Sequence, residues 1–329
     1  SPVVAAGFSW RLDFKWTYSG KGMAKVEISD DGREFRHLED LPFTIAYFNT
    51  SVWGLRRHTF RRPVKFKALR FTIVEANRKI DLVEFRPETE QRIEDVDAKK
   101  YRYKMPFRET CIEEPDGSAL GPGDMVDLTG SMRPDGTLDW DVPEGRWAIL
   151  RIGYCATGKL ISQSGTDAGR GPEVDKLDAA AVERHFEAFV GKLKRMLGSD
   201  GDSIRMVLND SYEAECQNWT EGFEREFERR KGYSPKRYYP VFTGRIVGSV
   251  EESERFLSDY RDALSGMFAQ KYAGTLLRKA HEYGMEFYLE PYGNGPSDDF
   301  SYARYCDVPM CEFWSSARTD VYYMSTGPT

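Results

Sequence analysis

Histidine and cysteine are scarce in this chain, and their scarcity disfavours several chemistries at once. Its 329 residues hold four His and five Cys. The cysteines, at positions 111, 155, 216, 306 and 311, form no C-x-x-C pair and no Cys/His zinc spacing. A zinc site and a His-based catalytic triad are both disfavoured. An odd, sparse set of thiols also argues against a disulfide framework, without fixing the compartment. No run of 18 apolar residues exists, so nothing reads as a membrane-spanning helix. No signal-peptide pattern is visible, and the chain opens at Ser-Pro without Met. Charge of one sign is lacking too: 47 basic residues face 53 acidic ones, a net charge of -6. That balance disfavours a nucleic-acid or anionic-membrane partner. Basic runs such as RRPVKFK (61–67) read as a solvated strand face.

Aromatic residues are plentiful, at 14% of the chain with seven Trp and eighteen Tyr. Such an excess suits dense β-sandwich cores or sugar-binding clefts, and core packing takes most of the rings. The length suggests two domains.

The hydrophobic period changes along the chain. Up to about residue 95 it is two. In AKVEIS (24–29) Val26 and Ile28 face one way, and in KALRFTIVEA (67–76) so do Leu69, Phe71 and Ile73. Asp31-Gly32 marks a hairpin turn, because Gly takes a positive φ at little cost. Residues 1–95 therefore read as a β-sandwich. Residues 96–172 read as a β-rich connecting region. In it the turns Pro134-Asp-Gly and Pro143-Glu-Gly bracket short strands whose Trp140, Trp147, Ile149 and Ile152 pack a core, and a Gly/Ser-rich linker follows. From 173 to 329 the period becomes helical. Val182, Phe186, Phe189, Val190, Leu193 and Leu197 form one face of a helix capped by Asp178 and ended by Gly198. IRMVLND (204–210) reads as a buried parallel strand, MEFYLEP (285–291) and DVPMCEFW (307–314) as further strands, with helices near 221–230 and 253–283 between them. The fold class is thus α/β plus β, a sandwich followed by part of a (β/α) barrel. About three strands are visible where a closed barrel needs eight, so a piece of a larger protein is expected.

The strand ends carry the chemistry. They present Asn209, Asp210 and Glu213; then Glu290, Tyr292 and Asn294; then Glu312 and Trp314. In a β/α barrel the C-terminal strand ends form the active-site face. Carboxylates converging there fit glycoside hydrolysis, which needs one acid to protonate the leaving oxygen and one carboxylate to activate water or attack carbon. Tyr212, Trp219, Tyr292 and Trp314 suit stacking on a sugar ring. Asn218 starts an N-x-T pattern beside this site. The bland alternative is that each acid caps a helix or pairs with an Arg. Oxygen ligands for a hard cation such as Ca²⁺ are also present, although no EF-hand loop is.

Several runs resemble glycoside hydrolase family 106, the large inverting α-L-rhamnosidases. They are NDSYEAECQNWTEGFEREFERRKGYSPKRYYPVFTGRIV (209–247), SERFLSDYRDAL (253–264), EFYLEPYG (286–293) and DVPMCEFW (307–314), with DGTLDWDVPEGRWAILRIGYCATGK (135–159) and GPEVDKLDAAAVERHF (171–186) upstream. VEISDDGREFRHL (26–38) resembles a galactose-binding-type sandwich. The resemblance implies that Glu213 is the general acid, that Glu312 lies at the sugar and at a bound Ca²⁺, and that Glu290 is a further cleft residue. It implies a rhamnose-containing oligo- or polysaccharide as partner and an extracytoplasmic location, periplasmic or secreted. Asn209, Asp210, Asn218, Trp219, Tyr292 and Trp314 join the substrate-binding set. The family's base, in an Ala-Glu-Ser/Ala-Phe type motif on a later strand, has no counterpart after Trp314, and Cys311 stands where Gly is expected. The acid is therefore expected here without its base. The competing expectation is a non-catalytic carbohydrate-binding protein.

Overall fold

The computed structural model describes residues 2–13, 19–46, 56–76, 81–100, 107–113, 115–158, 160–161, 167–214, 217–292 and 295–311. Its first third is β structure. Strands β1 (Val3–Asp13), β4 (Arg56–Phe66) and β6 (Asp81–Glu88) form one antiparallel sheet in the order β4-β1-β6. Strands β2 (Ser19–Ser29), β3 (Arg36–Ala46) and β5 (Ala68–Ala76) form a second, in the order β3-β2-β5. The β2–β3 connection turns where Asp31-Gly32 predicts. Gly32 takes φ 85°, and Asp31 Oδ1 accepts the amides of Arg33 and Glu34 and the hydroxyl of Ser29.

The two sheets meet through their alternate residues. Phe8 and Trp10 of β1 lie in one buried cluster with Val26 and Ile28 of β2 and Phe43 of β3, and Leu69, Phe71 and Ile73 of β5 pack against it. Phe8 stacks on Phe85 at 4.8 Å and meets Phe71 of the opposite sheet edge-on at 5.8 Å. Trp10 meets Phe43 and Phe71 at 5.3 and 5.1 Å. Burying each such ring stabilises the unit by roughly 2–3 kcal/mol.

The segment after β6 ties these sheets to the helical part. His58 of β4 is buried, with Nδ1 at 2.6 Å from Glu94 and Nε2 at 2.7 Å from Glu39. Arg108 reaches both Glu94 (3.1 Å) and Asp95 (3.4 Å). Helix α1 (Val96–Lys99) follows, and its buried Lys99 pairs with Glu254.

Between 107 and 172 the expected strands are absent among the described residues; only isolated bridges occur, such as Leu120 with Val247 and Met132 with Leu138. The turns do form: Gly136 and Gly145 take positive φ, and Gly136 N–H donates to Arg133. Among the described residues the flanking segments find no partner edge to pair with, and an unpaired segment makes no ladder. The core predicted there is missing for the same reason. Trp147, Ile149 and Ile152 are exposed, and Trp140 and Trp147 pack mainly on each other, edge-on at 5.4 Å.

The last part is mixed helix and sheet. Strands β7 (Met206–Asn209), β8 (Glu286–Leu289) and β9 (Val308–Pro309) run parallel in that order. Around them lie α2 (Ala179–Phe186), α3 (Lys192–Leu197), α4 (Phe223–Lys231), α5 (Val250–Phe268), α6 (Gly274–Glu282) and α7 (Asp299–Ala303). Asp178 caps α2 as expected, accepting the Ala180 amide at 2.9 Å. The predicted single helix is broken, however, by a π-turn over Glu187–Gly191. A π-turn holds one residue more than an α-turn and so rotates the apolar stripe. Val182 and Phe186 reach the core, whereas Phe189 is 71% exposed and Leu193 and Leu197 are also exposed. A second π-turn, Ala269–Ala273, separates α5 from α6.

β7 is half-buried rather than fully buried. Met206 and Leu208 are exposed on one face, at 50% and 54%. On the other face Phe287 and Leu289 of β8 enter the helical core and Val207 packs against it. The helices thus cover one face of this sheet among the described residues.

Candidate functional site

The site grows from the parallel register. Asn209 pairs with Leu289, so the next residues, Asp210 and Glu290, leave their strands side by side. The Glu290 amide donates to the Asn209 carbonyl at 3.0 Å, and the Tyr212 amide to the Tyr292 carbonyl at 3.3 Å. The two chain segments therefore stay joined beyond the sheet. Side chains alternate across a strand. Asn209 and Leu289 point to the helices, so Asp210 and Glu290 start on the opposite, uncovered face.

Asn209 is accordingly held from the helix side. The Tyr272 hydroxyl donates to its Oδ1 at 2.7 Å, and its Nδ2 donates to the Tyr302 hydroxyl at 3.3 Å. Burial pushes both phenols above their ordinary range, so both hydroxyls stay neutral. Lys176, itself buried, places its ammonium over the rings of Tyr212 and Tyr272 at 5.4 and 5.9 Å and pairs with Glu173 at 2.7 Å.

On the uncovered face, Asp210 and Glu290 lie against the same backbone amide. The Ser211 amide donates to Asp210 Oδ1 at 2.7 Å and to Glu290 Oε2 at 3.0 Å. The Tyr292 hydroxyl donates to the same Oε2 at 2.7 Å. The hydrogen bond from Glu290 and the Ser211 amide hold Asp210 below the usual carboxylate range. Burial, then the hydrogen bond and charge of Asp210, raise Glu290 above it.

Glu213 completes the group. Its Oε1 accepts from the Ser211 hydroxyl at 3.4 Å, and its side chain is exposed. Glu290 is a carboxyl that burial raises. Tyr292 is brought to this cluster. Asn218 and Trp219 stand apart from it in a ring cluster: Trp219 packs on Phe223 at 4.6 Å, and the Asn218 carbonyl accepts from Tyr260 at 2.5 Å. Asn294, Glu312 and Trp314 lie outside the described residues. Among the described residues no three His, Cys, Asp or Glu side chains gather as a cation site. Sequence reasoning missed Tyr272 and Tyr302, whose signal is only a helical stripe, and Lys176, which sits in the turn before α2. It also missed the Asp210–Glu290 contact, which follows once Asn209 is paired with Leu289.

Comparisons bear on the whole chain. A family model described as alpha-L-rhamnosidase matches residues 23–325. A putative beta-glucuronidase of Formosa agariphila is 34% identical over 235 residues, covering 70% of this chain and 20% of that protein. The solved structure of a rhamnosidase from Novosphingobium sp. PP1Y superposes with a TM-score of 0.73 at 24% identity, over 96% of this chain and 30% of the other. The chain thus spans about a fifth to a third of the length of these relatives.

Proposed function

The chain belongs to the alpha-L-rhamnosidase family, and from that premise we propose that it supplies part of the active site of a glycosidase acting on rhamnose-containing glycans. The observation that carries the reading is the gathering of Asp210, Glu213 and Glu290 just past two parallel strands, on the face away from the helices. In this reading β7, β8 and β9 with their helices (173–329) are part of a (β/α) barrel whose interior is that face. Residues 1–95 form a galactose-binding-like sandwich, and 96–172 connect the two.

Glu213 protonates the glycosidic oxygen as the bond to the anomeric carbon breaks. A second carboxylate, about 6.5–9.5 Å away in an inverting enzyme, takes a proton from the water that attacks the opposite face. Asp210, Tyr292, Glu290, Glu312 and Trp314 line the sugar cleft around it, with Asn209 behind them. Ca²⁺ at Glu312 and an extracytoplasmic location belong to the same reading. Isothermal titration of the chelated protein with Ca²⁺, on wild type and Glu312→Gln, tests the cation.

The test of the acid is Glu213→Gln in the natural-length protein on an unactivated rhamnoside. Turnover is expected to fall about 10²–10⁴-fold, the usual contribution of general acid catalysis. Near wild-type turnover overturns the assignment. The name of the Formosa agariphila relative favours a second reading, a glucuronide substrate. Assaying the matched glucuronide beside the rhamnoside decides between them.

A further inference from the structure

The two antiparallel sheets share an edge that the carboxyl cluster does not use. β3 and β4 are edge strands of their sheets. They stand beside each other, because His58 of β4 reaches Glu39 of β3 at 2.7 Å. Just past β4, the Lys67 amide donates to the Ser29 carbonyl of β2 at 2.8 Å. β4 is irregular at this edge. Val64 pairs with Ala5 and Thr59 with Gly7, so residues 60–63 stand opposite Ala6 alone. Pro63 ends that bulge. A bulge and a Pro both blunt an edge against pairing with another strand. The bulge is also held in place: the Arg61 carbonyl accepts the Glu113 amide at 2.7 Å, and the Phe60 carbonyl accepts Gln91 Nε2 at 3.3 Å.

A groove of about 620 Å³ lies along this edge, within the roughly 300–1,000 Å³ of small-ligand pockets. Arg36, Arg62, Lys65 and Lys67 line it, all exposed, and Asp30 is the one acid in its lining. Leu38, Pro63 and Val64 are half-buried between them and supply an apolar floor. Four cations against one carboxylate leave the groove at +3, on a chain whose net charge is -6. Nearby acids do not neutralise it. Glu113 engages Arg61 at 2.8 Å and reaches Arg62 only at 4.0 Å. Among the described residues no carboxylate pairs with Arg36, Lys65 or Lys67. Like charges gathered in a concave site focus a field that attracts an anion.

We propose that this groove binds an acidic saccharide, a sugar that carries carboxylate or sulfate groups. The anion sits among the four cations, whose Arg members present a planar fork to paired oxygens. The C–H face of the ring lies on Leu38, Pro63 and Val64, and a sugar hydroxyl donates to Asp30. The saccharide class rests on the reading of the chain as part of a glycosidase; the charge rests on the groove alone. Nucleic acid fits less well. Single strands are bound on exposed rings that stack with bases, whereas Phe66, the ring in this lining, is buried. Asp30 repels a phosphate and accepts a hydroxyl.

Isothermal titration of the natural-length protein tests the proposal with four probes. They are tetragalacturonate for carboxylate, sulfated maltotetraose for sulfate, plain maltotetraose, and a short single-stranded DNA. An acidic tetramer should bind about tenfold or more tighter than plain maltotetraose, and weaken as salt screens the exposed cations. Which of the two acidic tetramers binds names the anion. Arg36→Ala with Lys67→Ala should raise that Kd about tenfold and leave the unfolding midpoint in place, because both side chains are exposed. Lys192→Ala with Lys236→Ala, two exposed cations elsewhere, should leave the Kd unchanged. Failure of both acidic tetramers to bind, equal binding of the neutral one, or DNA binding as tight as theirs overturns the proposal. So does binding that the Arg36/Lys67 variant retains, since the saccharide then sits elsewhere. Groove binding in a protein that turns over no rhamnoside keeps the groove and removes the reading of the reaction; turnover without groove binding does the reverse.

Discussion

The antiparallel sheets near the N-terminus and the parallel sheet of β7, β8 and β9 solve opposite problems. In the first region two apolar faces meet and close on one another, and Phe8, Trp10, Phe43 and Phe71 fill the space between them. In the second, helices cover one face and leave Met206 and Leu208 exposed on the other, where Asp210 and Glu290 lie. A closed core is the place to look for stability. A face left uncovered, with carboxyls that touch at its edge, is the place to look for chemistry. The comparison breaks if the closed core proves dispensable or the open edge proves inert.

The largest stability effect is expected at Trp10, which is fully buried. Trp10→Ala removes a large side chain from between two sheets and should cost about 3–5 kcal/mol. Urea unfolding followed by fluorescence measures it. A loss below about 1 kcal/mol would mean that the sheets do not depend on their shared core.

A second effect is electrostatic and lies at the join between the regions. Burial opposes a charge on His58, yet hydrogen bonds to Glu39 and Glu94 raise it from 6.5 to about 9. A raised folded pKa means that this contribution is fully present below the unfolded value of about 6.5 and is lost as pH climbs through about 9. Its size is on the order of 3 kcal/mol. Unfolding midpoints taken across that window should fall in wild type and stay flatter in His58→Phe. Arg108, 3.4 Å from His58 Nδ1, faces the same cluster.

Much of this contrast is legible in the residues. Period-two alternation placed Val26, Ile28, Leu69, Phe71 and Ile73 correctly, because a two-layer core reads directly as alternation. The strands IRMVLND and MEFYLEP were also legible, and with them the acids at their ends. Three things were hidden. Whether Trp147 and Ile149 join a sheet depends on a partner edge elsewhere in the chain, which no local pattern shows. The rotation of the Phe189 stripe comes from a π-turn, and a 3.6-residue count cannot register one. The side that Asn209 faces depends on strand register, so an apparent cleft residue turns out to be gripped by Tyr272 and Tyr302 from behind.

That last point yields a test of the two sides of one strand end. Asn209→Ala leaves the hydroxyls of half-buried Tyr272 and buried Tyr302 without this partner and should cost about 1–3 kcal/mol of stability. Asp210→Asn, on the uncovered side, should cost less stability and more turnover. Thermal unfolding and kcat measured on both variants separate the two sides, and a reversed pattern would place Asn209 in the cleft.

The smallest effect is expected where the sequence pattern misleads most. By spacing, Phe189 belongs to the buried stripe of Val182 and Phe186, so replacing it with Ser should resemble a core deletion of several kcal/mol. The π-turn over Glu187–Gly191 instead swings it outward, to 71% exposure. An exposed ring has little apolar contact to lose, and Phe189→Ser should change stability by no more than about 0.5 kcal/mol. Val182→Ala, one turn before the break and fully buried, should cost measurably more. Equal losses at the two positions would mean that the helix runs unbroken, or that another part of the natural-length protein covers this face, and the line between closed and open regions would then move to include it.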